Sequence, residues 1–141
     1  MTCDVAINHL HLCDTDIGWF DAHCHLVPPL RGVQDRDALR AGLADGTIGS
    51  VCSDHTPVDD DGKQLPFAEA EPGATGLELL LPLTLKWARE DRVPLASALA
   101  RVTADPARVL GIDCGPARGR CGRQTSASST PSNAGPSCRT R

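Results

Sequence analysis

The chain has 141 residues, 40% of them hydrophobic, 23% charged and only 3% aromatic, with a formal net charge of −4. That length and balance fit one globular domain and exclude a wholly disordered or collagen-like chain. The scarcity of aromatics argues against stacking platforms for single-stranded nucleic acid, and the acidic balance leaves no basic footprint for a duplex.

Met1-Thr2-Cys3-Asp4 lacks a basic start and a long apolar run, so no signal peptide is read there. Thr2–Ile7 carries β-branched residues in loose alternation and predicts a short strand. Residues 8–34 read as irregular, since Pro28-Pro29 forbids a helix across them. Asp35 is placed as the start of a helix over Arg36–Ala44, with Leu39 and Leu43 on one face and Gly46 as its terminator. Thr47–Ser53 is a compact β-branched run that predicts a buried strand, with Asp54 at its C-terminal end.

Residues 55–75 read as a long polar loop, which at that length is functional or mobile. Leu77–Glu90 is the strongest helix, with Leu77, Leu80, Leu81 and Leu85 at three- and four-residue spacing beside Trp87. Pro82 either kinks it or leaves Gly76–Leu81 as a separate turn. Leu95–Arg101 predicts a further helix, and Asp105-Pro106 a cap and first turn for a last one closed by Gly111. The order strand, helix, strand, loop, helices is an α/β pattern with only two strands. Glu78, Pro82 and Thr84 interrupt the longest apolar stretch, so no membrane span is expected.

Residues 1–113 hold all 18 acidic side chains and a balance of −9, whereas residues 114–141 hold five Arg, no acid and a balance of +5. This last segment has no Val, Leu, Ile, Met or aromatic residue and is expected to be disordered. Its composition is also that of GC-rich codons read out of frame. The chain therefore divides into a body, 1–112, and a disordered basic tail, 113–141. The seven Cys form no C-x-x-C pair and, with no signal peptide, read as reduced thiols of a cytoplasmic protein.

Two H-x-H pairs, His9/His11 and His23/His25, would each offer two imidazoles to one metal if they lay on strands. The pattern is short and frequent by chance, and surface or loop histidines are the simpler reading; a small metal module of these four with Asp54 is the sharper one. Asp54 carries more weight. A carboxylate at the end of a buried strand, followed by a loop, can serve as general base or as metal ligand. A turn-capping Asp before His55-Thr56-Pro57 is the equally simple alternative. Asp59-Asp60-Asp61 lacks the register of a calcium loop.

The ordered series Pro28-Pro29-Leu30-Arg31, Asp35-Arg36-Asp37-Ala38-Leu39, Gly42-Leu43-Ala44-Asp45-Gly46-Thr47-Ile48 and Ser53-Asp54-His55-Thr56-Pro57, with Lys63, Pro66-Phe67 and Gly76-Leu77-Glu78, resembles the C-terminal part of dihydroorotases. These are amidohydrolases that reversibly cyclise carbamoyl aspartate to dihydroorotate in pyrimidine synthesis. The resemblance implies a C-terminal fragment of a metal-dependent (β/α)8 barrel, with Thr2–Ile7 and Thr47–Ser53 as its last two strands. It implies Asp54 as the catalytic aspartate and a contact of the zinc centre, and Phe67 and Ala68 as the pair that touches substrate through the backbone.

Val27, Val58 and Ala68 stand where the family has Asn, His and Gly, and the family's metal histidines have no counterpart here. Those departures resemble inactive dihydroorotase homologues that support aspartate transcarbamoylase. The resemblance thus implies a chain inactive by itself, partnered by the rest of the barrel or by aspartate transcarbamoylase.

Overall fold

The structure, a computed structural model, describes residues 2–112, so the expected tail lies outside the described residues. Strand β1, Asp4–Ala6, pairs in parallel with β2, Ser50–Cys52, placing Asp4 opposite Ser50, Val5 opposite Val51 and Ala6 opposite Cys52. Parallel neighbours need a crossover, and helix α1, Val33–Asp45, lies on it. Both strands are shorter than their sequence runs. Ile7 already begins a 3-10 turn, Ile7–Leu10, and Gly49 gives only one further bond, to the Cys3 carbonyl at 3.0 Å.

Helix α1 starts three residues before the expected position. Gly32 is its N-cap and Asp35 lies in its first turn, where a carboxylate favours the positive end of the helix dipole without capping it. Gly46 ends it in the left-handed conformation, φ 91°, as expected. The polar loop holds a short helix, α2, Asp60–Lys63, so the acidic run opens a helix, again at the end its charge favours.

Helix α3 spans Leu80–Glu90. Pro82 falls in its first turn, where backbone N–H groups have no partner within the helix, so the proline removes no helix bond. The expected leucine stripe is rotated. Leu77 precedes the helix and is exposed, as is Leu81, while Thr84, Trp87 and Ala88 face inward. Trp87 is the largest fully buried side chain and packs in one cluster with Ile7, Leu10, Leu43, Val51 and Ala98. Helix α4, Leu95–Ala100, supplies Ala98. Helix α5, Ala104–Val109, starts after Thr103, not at Asp105; the Asp105 carboxylate instead binds Arg101 at 3.0 Å and Arg108 at 2.9 Å. Among the described residues no helix is long and apolar enough to cross a membrane.

Arg40 on α1 ties this helix to the end of α3. Its guanidinium donates to both oxygens of Asp91, at 2.7 and 2.9 Å, and to Glu90 at 2.9 Å. That fork holds the Glu90 carboxyl below the ordinary glutamate value of 4.5. A depressed folded-state value adds stability above the unfolded pKa and loses it as pH falls through the folded one. Arg40→Ala is therefore expected to cost about 1 kcal/mol at neutral pH, with the difference from wild type shrinking below pH 4.5 and in high salt. Urea unfolding midpoints at two pH values and two salt concentrations check this.

Candidate functional site

Asp54 lies two residues beyond β2, in the left-handed region at φ 47°. A non-glycine residue there costs about 1 kcal/mol, less for Asp than for most, and persists only where its neighbours hold it. The chain on either side is held. Thr56 N–H donates to the Ala74 carbonyl at 3.0 Å, and Nδ1 of His55 accepts from the N–H groups of Gly76 and Leu77, at 3.2 and 3.3 Å. The strap 73–77 can approach so closely because Gly73, Ala74 and Gly76 carry little or no side chain. A β-carbon on Gly73, whose φ is +145°, would sit 2.5 Å from the Thr56 carbonyl oxygen.

The Asp54 carboxylate is exposed at a hollow of about 240 Å³ lined also by Leu26, Val27, Thr56, Pro72 and Gly73. Val27 therefore shares a surface with Asp54 and offers no hydrogen bond across it. Such a wall can receive the apolar side of a small ligand, with Asp54 as acceptor or carrier of one proton. Burial, with Asp4 adding to it, pushes the Cys52 thiol up to about 11, so no thiolate nucleophile lies beside Asp54 at neutral pH.

Phe67 and Ala68 do not line this hollow. The Phe67 ring lies over the His25 imidazole, centroids 4.7 Å apart, and meets Phe20 edge-on at 6.0 Å. Its link to the hollow is indirect: His25 donates from Nδ1 to the Ala70 carbonyl, and its own carbonyl accepts from Gly73 N–H, both at 2.9 Å. Lys63 adds a second clamp, donating to the Ala22 and Glu71 carbonyls at 3.0 and 2.7 Å. Sequence reasoning missed the lining role of Pro72 and Gly73; the run Gly73-Ala74-Thr75-Gly76 was the available signal, since it permits close backbone approach.

The two H-x-H pairs do not present paired imidazoles. His9 lies in the 3-10 turn Ile7–Leu10 and His11 caps it; His23 lies in the turn Ala22–Cys24 and His25 caps that. Positions two apart share a face on a strand but diverge on a 3-10 turn. His9 donates to Pro28, His11 to Leu83, His23 to Asp21 and His25 to Ala70, four separate directions. Among the described residues, no three His, Cys, Asp or Glu side chains converge to hold a metal. Catalytic zinc takes roughly three protein ligands, so the described residues by themselves do not make up a zinc site.

No protein-family model matches the chain. Over 115 residues, 82% of the chain, it is 39% identical to a dihydroorotase of Geobacter sp. (strain M21) and 40% identical to a dihydroorotase-like protein of Pseudomonas aeruginosa. The match covers 27% of each relative, so the chain spans about a quarter of the length of the curated relatives it matches. The structure of a D-hydantoinase superposes on 77% of the chain and 25% of its own, with TM-score 0.68 and 27% identity. The crystal structure of a dihydropyrimidinase from Brevibacillus agri NCHU1002 gives TM-score 0.69 at 21% identity, a likeness of fold alone. The described residues thus take the fold of part of a barrel amidohydrolase, and the resemblance read from the motifs is met by relatives named dihydroorotase and dihydroorotase-like.

Proposed function

We propose that this chain is the C-terminal segment of a dihydroorotase-like amidohydrolase of pyrimidine metabolism, that β1 and β2 are the last two strands of its barrel, and that the chain is not a catalyst by itself. In this reading residues 1–112 form the partial barrel. The match over 115 residues, with Asp54 at the C-terminal end of β2, carries the reading, because barrel enzymes build their sites at that end of their strands.

Asp54 is then the carboxylate that moves a proton to or from the cyclic amide. Phe67 and Ala68 act from the clamped loop, which His25 joins to the hollow. Zinc, the family's metal, would supply Lewis-acid activation, and Asp54 alone would not hold it. The remaining strands of the barrel are the natural partner. Exposed Leu77, Leu79 and Leu81 offer an apolar surface for further chain to cover. A second reading, a structural partner of aspartate transcarbamoylase, is favoured by Val27 in the hollow, which removes an orienting hydrogen bond.

The purified chain is expected to hydrolyse dihydroorotate no faster than buffer, with or without added Zn²⁺, and to retain less than stoichiometric zinc after dialysis. Turnover that disappears in Asp54→Asn would show a self-sufficient catalyst and overturn the reading. Comigration with aspartate transcarbamoylase on a sizing column would select the second one.

A further inference from the structure

We infer that His55 is a positioning residue for Asp54, acting through its ring as a cap on the strap that leads into α3. The inference rests on the proposed role of Asp54 for its functional meaning, but its geometry is independent of that role. Gly76 and Leu77 carry the N–H groups that open the turn before α3, where Leu79 N–H returns to the Gly76 carbonyl at 3.2 Å. These two N–H groups precede α3, whose own hydrogen bonds do not reach them, and they need a partner from elsewhere. His55 supplies it from a distant part of the chain, since Nδ1 accepts from both.

Two consequences follow from the chemistry of the ring. A nitrogen that accepts cannot carry the proton, so the His55 proton is on Nε2, opposite to His25, whose Nδ1 must donate because a carbonyl only accepts. The cap also anchors the residue directly after Asp54. Ser53 on the other side rests against Gly76, and Thr56 is bonded to Ala74. Asp54 is thus the one residue between these anchors that absorbs the left-handed turn, and the anchors fix the backbone from which its carboxylate projects.

Nitrogen spectra of the full-length chain with labelled histidine test the tautomer without any substitution. His55 is expected to show an unprotonated, hydrogen-bonded Nδ1; a protonated Nδ1 in the neutral ring overturns the inference. Hydrogen exchange supplies the second test. In His55→Ala the Gly76 and Leu77 amides are expected to exchange about tenfold faster, with a shift in the Asp54 Cα resonance. His55→Asn, whose side-chain oxygen reaches the place of Nδ1, is expected to restore both, whereas His55→Gln, which places its oxygen one bond further out, is not. Unchanged amides in the alanine variant, or an asparagine variant that behaves like alanine, would sink the idea. None of these readouts uses turnover. Asp54-dependent hydrolysis by the isolated chain would overturn the functional reading and leave the His55 result standing.

Discussion

Gly76→Ala is expected to destabilise the chain by about 3 kcal/mol or more, although it adds only a methyl group to a turn. A β-carbon at this position would lie well inside 3.0 Å of the Ser53 carbonyl oxygen, closer than β-carbons come to other heavy atoms. The neighbour is backbone, so no rotamer change relieves the overlap. Either Ser53 or the strap must move, and both hold Asp54. The same substitution at Gly42 should act in the opposite direction. Gly42 lies within α1, and its β-carbon would meet the Ile48 side chain at 3.4 Å, ordinary contact distance. Gly42→Ala gains roughly 0.5–1 kcal/mol of helix propensity and is expected to raise stability. Urea denaturation of the pair, read as midpoint and slope, tests the contrast. A Gly76→Ala chain as stable as wild type would mean that the strap does not rest on Ser53.

Trp87→Ala is expected to cost about 3–5 kcal/mol, the range for emptying a large aromatic site in a core. Trp87 is fully buried at the meeting of α3 with the turn Ile7–Leu10, α1 and β2, so few groups can collapse into the space. Trp87→Phe should cost far less, under about 1 kcal/mol. The indole Nε1 is buried with no hydrogen-bond partner among the described residues. Removing an unpaired buried donor recovers part of the free energy lost with the smaller ring, because its desolvation costs about 1–3 kcal/mol. Thermal or urea unfolding of the two variants gives the difference directly. The chain's other tryptophan, Trp19, is fully exposed, so fluorescence separates them: Trp87→Phe should remove the blue-shifted, quencher-resistant component. A phenylalanine variant as unstable as the alanine one would place a partner on Nε1.

The local signals that survived folding are those whose cause is local. Gly46 ends α1 because only a residue tolerant of positive φ closes a helix that way, and the residue type is visible in the sequence. The two strands with a helix between them were legible from β-branched runs and leucine spacing, and so was the position of Asp54 at the end of the second strand. The ordered motifs around Asp54 were enough to point to relatives named dihydroorotase and dihydroorotase-like.

What the residues could not show are the relations across the chain. The H-x-H pairs read as paired imidazoles only on the assumption of a strand, and 3-10 turns sent each ring to a different carbonyl or carboxylate. Of the expected leucine stripe, Leu80 packs against the core but Leu77 and Leu81 are exposed, and Thr84, Trp87 and Ala88 take the buried places because the helix begins only at Leu80 and the core selects the residues that fill it. Chain-local physics, propensity and capping, is written residue by residue and determined the elements. The hollow beside Asp54, the His55 cap and the contact of Gly76 with Ser53 join residues from about twenty to nearly fifty positions apart, and only tertiary packing decides which of them meet.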